Sequence, residues 1–245
     1  MSGLPLTPFQ GKRPTKFLSG CLICGADLVY LPEHTAQHCL YCGEVFESNA
    51  QCAQGHFVCD TCHGADAGSL IERFCAETAL TDPVEIAITL MRHPALAMHG
   101  PEHHFLVPAA LLAAYDNLRP GLDRKVKLQQ ARKRAEGVPG GSCGLCGNCG
   151  AAVGTGIFIS LITGSTPLAK REWQLSNRMT GESLLAIAEH GGPRCCKRDT
   201  FLAMQSAQAF LKTHFDTTLP IQSPIRCEFY SRNKECLQTE CPFFA

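Results

Sequence analysis

This chain lacks an excess of either charge: Lys+Arg and Asp+Glu both number 22. That balance excludes a whole-molecule attraction to nucleic acid or anionic membrane. Charged residues are scarce (18%) beside apolar ones (45%), which excludes global disorder and leaves room for a core. No hydrophobic run is long enough to span a bilayer. The longest, residues 151–163, is interrupted by Gly154, Thr155 and Gly156 and falls short of the roughly 20 residues required. The opening stretch MSGLPLTPFQGKRPTKF has no apolar core of the kind a secretory signal carries. The expectation is a cytoplasmic protein with no membrane partner. No G-x-G-x-x-G follows a strand pattern, so no Rossmann cofactor site is expected. Nor does any thiol loop have the C-x3-C-x2-C spacing of the usual radical-SAM motif.

Thiols are what the chain has in abundance: 16 Cys accompanied by 10 His. Many lie in C-x-x-C pairs beside glycine, the pattern of metal-bound thiolates in a reducing compartment rather than of a secreted disulfide scaffold. Residues 18–65 are too poor in apolar periodicity to fold without metal. There Cys21-x2-Cys24-Gly and Cys39-x2-Cys42-Gly resemble the two knuckles of a zinc ribbon. Glycine after each pair permits the turn that aims both thiolates at one ion. With Cys52, His56, Cys59 and Cys62 the ligands total eight, enough for two tetrahedral Zn2+ sites. Two wirings are open. The sequential one, preferred here, joins Cys21, Cys24, Cys39 and Cys42, then Cys52, His56, Cys59 and Cys62; the other interleaves the pairs. His63 is an alternative ligand or a cap for the next helix. The run from Cys39 to Cys62 resembles the first six ligands of a RING finger, but no last C-x2-C pair follows it, so ubiquitin-ligase activity is discounted.

The remainder reads as helical. Apolar spacing predicts helices over 69–80, 82–91 (Asp82 as N-cap, Pro83 at the first helical position), 109–117, 122–136, 151–163, 180–188 and 194–215. The expected fold is therefore α+β: a mainly α body with a small N-terminal zinc-ribbon or treble-clef-like β module. Three segments are expected: a flexible leader (1–17), the two-zinc module (18–65) and a helical iron–sulfur domain (66–245).

The iron–sulfur expectation starts from Cys143-Gly-Leu-Cys146-Gly-Asn-Cys149. Its spacing resembles the first three cluster ligands of bacterial ferredoxins, and Cys241-Pro242 resembles their proline-followed ligand. Zinc accepts thiolates too, so a further zinc site is the rival reading. The assigned [4Fe–4S] ligands are Cys143, Cys146, Cys149, Cys196 and Cys241. Cys195 and Cys196 open a helix, where unpaired N–H groups lower a thiol pKa; adjacent helical residues diverge by about 100°. One of the two is thus a ligand and the other, Cys195, a free thiol. Arg194, Lys197 and Arg198 add positive charge beside them. Glu102, His103 and His104 beside Gly100-Pro101 are candidate proton donors and acceptors. Cys227-x8-Cys236-x4-Cys241 resembles a CCCH finger of the RNA-binding type, but no histidine follows Cys241. The cations Arg124, Lys125, Lys127, Arg132, Lys133 and Arg134 make 124–134 a basic helix that could meet RNA or a protein partner.

The strings HGPEHHFLVPAALL, CGLCGNCGAAVGTGIFISLITGSTPL and GGPRCCKR resemble a cysteine-rich domain-of-unknown-function family from anaerobic bacteria and archaea. That resemblance implies that the His turn, the triple-Cys loop and the Cys-Cys helix start belong to one domain and one site. The functional expectation is an iron–sulfur enzyme performing elimination, desulfuration or sulfur transfer on a small or sulfur-containing substrate. The alternatives are a non-enzymatic metal protein that binds RNA or a protein, and an electron-transfer accessory subunit.

Overall fold

The computed structural model describes residues 21–244; the expected leader, 1–17, lies outside them. The fold is α+β, a mainly helical body preceded by a two-stranded antiparallel sheet. Among the described residues no helix is long and apolar enough to cross a membrane.

The chain opens with the Cys21–Cys24 knuckle, closed by the Gly25 N–H donating to the Cys21 carbonyl at 2.8 Å. Strand β1 (Leu28–His38) pairs with β2 (Val45–Cys52), Leu28 opposite Cys52 and His38 opposite Val45. The loop joining them is itself the second knuckle, with the Gly43 N–H donating to Cys39 at 2.9 Å. Gly25 and Gly43 share a φ of 72°, the left-handed conformation that glycine adopts without penalty. Helix α1 (Asp60–His63) carries Cys62, with Cys59 as its N-cap. Knuckle, hairpin and short helix make a treble-clef-like unit. Apart from its cysteines, only Ile23 and Tyr41 are fully buried apolar side chains of this unit.

The body comprises α2 (Ala67–Glu77), α3 (Pro83–Met91), α4 (Glu102–Leu118), α5 (Arg124–Glu136), α6 (Ser142–Leu145), α7 (Gly150–Thr163), α8 (Arg171–Glu189) and α9 (Cys196–Phe215). Asp82 caps α3 as expected, accepting from the Val84 N–H at 2.8 Å, with Pro83 in the first turn. Helix α4 begins seven residues before the predicted 109, and Pro108 sits inside it. Its buried residues lie on every side, from Phe105 to Ala114, as expected of a helix surrounded by others. It packs against α2, α3, α5, α7 and α9. Gly154 of α7 permits this: a Cβ there would lie 2.8 Å from Pro108 Cδ. Helix α8 likewise starts at Arg171 rather than 180, because one amphipathic face continues back through Leu175 onto the core.

The module joins the body through Tyr41, edge-on to Phe74 (6.0 Å) and His93 (5.2 Å), and through Arg73, whose guanidinium donates to Cys62 Sγ at 3.5 Å. The tail after α9 returns over α3. The Gln222 N–H donates to the Asp82 carboxylate at 2.8 Å, and Arg92 grips Glu228 with two bonds of 2.7 and 3.0 Å.

Candidate metal centres

Cys21, Cys24, Cys52 and His56 form one tetrad and Cys39, Cys42, Cys59 and Cys62 the other, each with its ligand atoms within 4.8 Å of one another. The pairs interleave, against the sequential wiring preferred from sequence. Strand register is the reason. Cys52 ends β2 opposite Leu28, beside the first knuckle, whereas the second knuckle forms the hairpin tip at the far end. Eight extended residues separate those ends by roughly 20 Å, so both knuckles cannot reach one ion. His63 is exposed and belongs to neither tetrad, and the cap of α2 is Asp66, not His63.

The spacing fits a single ion at each tetrad. Cys24 Sγ to Cys52 Sγ and Cys42 Sγ to Cys59 Sγ are both 3.9 Å. A tetrahedron with metal–sulfur bonds of about 2.3 Å has edges of about 3.8 Å. Burial pushes the Cys21 thiol up to about 12 and Cys42 up to about 11. At Cys39 the cost of burial is outweighed by the N–H groups of Cys59, Cys42 and Tyr41, which hold its pKa below the ordinary value. Buried thiols crowded this closely favour a cation that replaces their protons.

In the body, Cys195, Cys227, Cys236 and Cys241 face one cavity of about 300 Å³, mouth included, which Met98, Phe243 and Phe244 also line. Cys241 therefore joins these three thiols. This differs from the expected grouping with Cys143, Cys146 and Cys149. Cys227 is locked in place by its N–H bond to the Phe243 carbonyl, 2.7 Å. Asn233 donates to Cys195 Sγ at 3.6 Å while its carbonyl oxygen accepts from His99 Nε2 at 3.1 Å. Among the described residues the two N-terminal tetrads are the groups that bring three or more ligand atoms within 4.8 Å of one another.

Cys195 and Cys196 diverge as helix geometry requires. Cys195 lines the cavity, whereas the Gly100 N–H acts on Cys196. Burial raises both thiols, outweighing the lowering expected at a helix start. Lys197 and Arg198 are buried rather than lining a surface, and Arg194 is exposed. Lys197 donates to the Ala97 carbonyl (2.8 Å) and to His103 Nε2 (2.9 Å). Burial, then the nearby Arg232, lowers its pKa to about 7.

The three candidate acid–base residues lie on the first turn of α4 but have different surroundings. His103 is buried, its Nδ1 bonded to the Gly100 carbonyl at 3.1 Å and its Nε2 to Lys197. His104 donates from Nδ1 to the Val138 carbonyl, 3.1 Å, which leaves Nε2 as an acceptor. Its ring lies on Gly150, next to Cys149: a Cβ there would come 2.4 Å from Nε2. Glu102 has a buried oxygen, Oε1, without a hydrogen-bond partner. The triple-Cys loop runs from half-buried Cys143 through exposed Cys146 to buried Cys149. Cys149 Sγ lies 3.9 Å from the carboxylate of Asp199, a residue sequence reasoning missed. The signal available was its place in the first turn of the helix that Cys195 caps.

Burial, then the Lys197 ammonium, holds His103 well below the usual imidazole range. The unfolded chain takes up that proton near pH 6.5 and the folded chain does not, so stability falls as pH drops through that value. Urea denaturation at about pH 7.5 and about pH 5.5 should show wild type losing more stability than His103→Gln. An equal loss would refute this assignment.

On the 124–134 helix four of the six cations are engaged within the fold. Arg124 binds Asp116, Lys125 pairs with Glu77, Arg132 with Glu72, Asp66 and Glu136, and Arg134 donates to Ser160.

A family match spans residues 71–244, most of the chain. The chain belongs to the family of unknown function DUF5714. The match covers the His turn, the triple-Cys loop, α9 and the tail, and begins in α2, after both N-terminal tetrads. No curated protein and no solved structure matches the chain.

Proposed function

We propose that this DUF5714 protein is an iron–sulfur protein whose cluster occupies the Cys195–Cys227–Cys236–Cys241 cavity, preceded by a structural clip holding two Zn2+ ions. The observation that carries the reading is the gathering of four thiols around one cavity. Sulfurs 3.9 Å apart in the N-terminal tetrads suit one ion. Cys195, Cys227, Cys236 and Cys241 all line the cavity, the number of thiolates that a cubane takes. Buried Arg198 borders the cavity, and its charge offsets part of the negative charge of a thiolate-held cluster.

Such a cluster supplies one-electron transfer or, where a corner lacks a thiolate, Lewis acidity. The chain's own residues favour an enzyme of the elimination, desulfuration or sulfur-transfer class over a bare electron carrier. His104 presents an unprotonated Nε2 beside the triple-Cys loop, and Glu102 has an unpartnered carboxylate oxygen. Either can hold or accept a proton there. His103 instead braces Lys197. RNA recognition has less support. Residues 21–72 contain no Lys or Arg but seven carboxylates, and most cations of the 124–134 helix are engaged as described above.

Anaerobic purification followed by iron, sulfide and zinc analysis tests the reading. About two zinc ions per chain, together with iron and sulfide in equal amounts, is the expected result. Zinc alone, with a colourless protein after reconstitution, would overturn it.

A further inference from the structure

The cavity leaves the triple-Cys loop outside it, and the two thiol groups meet at one residue. Asp199 is buried on the first turn of α9. One carboxylate oxygen faces Arg198 at 3.3 Å and the other faces Cys149 Sγ at 3.9 Å. The Cys195 N–H also bonds to this carboxylate, so Asp199 stands between a ligand of the cavity and the last thiol of the loop. The Cys149 thiol donates to Asp199 across that contact; once its proton leaves, a buried carboxylate and a thiolate face one another in conflict. A cation shared between them resolves the conflict.

The loop itself is shaped to wrap around something. The N–H groups of Cys146 and Asn148 both close onto the Ser142 carbonyl, at 2.9 and 3.1 Å. Gly147 holds a φ of 62°, and a Cβ at Gly144 or Gly147 would meet nothing within 4 Å. Cys149 is the N-cap of α7, and burial pushes its thiol up to about 12 against the pull of the Ala151 and Ala152 N–H groups. Burial grades from Cys149 outward to exposed Cys146, so one side is sealed and the other faces solvent.

We infer that Cys143, Cys146 and Cys149 hold a second iron–sulfur cluster, with Asp199 as its fourth, non-thiolate ligand. This rests on the iron–sulfur reading of the cavity and extends it. Carboxylate binds iron less firmly than thiolate in a sulfur-rich setting, so the Asp199 corner is the one that a small substrate with a sulfur or carboxylate group can claim. His104 stands over Gly150 at the same edge. The two clusters would be neighbours, linked by the few bonds from Cys149 through Asp199 to Cys195.

The test uses the full chain, reconstituted anaerobically with iron and sulfide, and compares wild type with four variants. Wild type should bind about eight irons per chain, and the triple variant Cys143→Ser, Cys146→Ser, Cys149→Ser about four, with zinc unchanged. Cys227→Ser should lose the other four. On mild oxidation wild type and Asp199→Asn should lose about one iron per chain and show the EPR signal of a three-iron cluster. Asp199→Cys, which closes the corner with thiolate, should resist that conversion. If wild-type iron depends on Cys227 but not on the triplet, the cavity reading stands and the second cluster falls. If Asp199→Cys and Asp199→Asn convert alike, Asp199 is not the ligand. If no variant or wild type holds iron, the iron–sulfur reading fails as a whole. Circular dichroism and zinc content establish that each variant is folded.

Discussion

Stripping the two N-terminal ions should unfold residues 21–64 while α2 to α9 stay folded. The physical case is the scarcity of anything else to hold that segment. Outside its cysteines, Ile23 and Tyr41 are its fully buried apolar side chains, and most of β1 is exposed on both faces. An isolated hairpin is marginal in water at best. Structural zinc in small modules contributes an apparent 10–16 kcal/mol, on the order of the whole stability of a domain. Hydrogen exchange read before and after a zinc chelator should show amide protection lost across β1 and β2. Tyr41 should also lose its edge contacts with Phe74 and His93. Protection that survives complete metal removal would refute the prediction. The interleaved wiring has its own signature in the cadmium-substituted protein. Cys24→Ser and Cys52→Ser should abolish one cadmium resonance, and Cys42→Ser and Cys59→Ser the other. Sequential wiring would instead group Cys24 with Cys42.

On the iron–sulfur reading proposed above, Cys227→Ser should remove the visible chromophore and expose the tail to protease. Cys227 is buried, contributes one of four thiols, and pins the end of the chain through its bond to Phe243. Losing one thiolate leaves an open corner and three crowded thiolates beside Arg198. The resulting cavity is poor at retaining iron, and a loss of ten-fold or more in bound iron is a rough expectation from ligand substitutions. Residues upstream of Arg226 should stay protected, because Gln222 and Asp82 still hold the start of the tail. Cys75→Ser is the control. Cys75 is fully buried in α2 but belongs to none of the thiol groups, so its variant should keep full colour. Equal bleaching of both variants would mean that general instability, not ligation, explains the loss.

Local chemistry was readable without coordinates. The two knuckles follow from Cys-x2-Cys-Gly, since the turn that makes them needs only neighbouring residues. Asp82-Pro83 marked the start of α3 for the same reason: a cap acts within one turn. Helix α4 starts at Glu102 rather than at the expected 109 and holds Pro108 inside it; the packing of α7 around that proline, made possible by Gly154, is not local.

The division of labour follows from range. Sequence alone determined that there would be a small β module rich in metal-ligand residue types, a helical body, and thiols in numbers that a hydrophobic core does not call for. Ligand type, turn-forming glycine and helical period are all set by residues within a few positions of one another. Which thiols share a site was decided only by the tertiary structure. The register of β1 and β2 interleaves the two tetrads. The return of the tail over α3 gives Cys241 to Cys195, Cys227 and Cys236 rather than to the triple-Cys loop, and the first turn of α9 carries Asp199 to Cys149. Contacts between residues 50 positions apart in the chain carry no periodicity or spacing that a sequence displays. They exist because packing a body of this size brings those surfaces together.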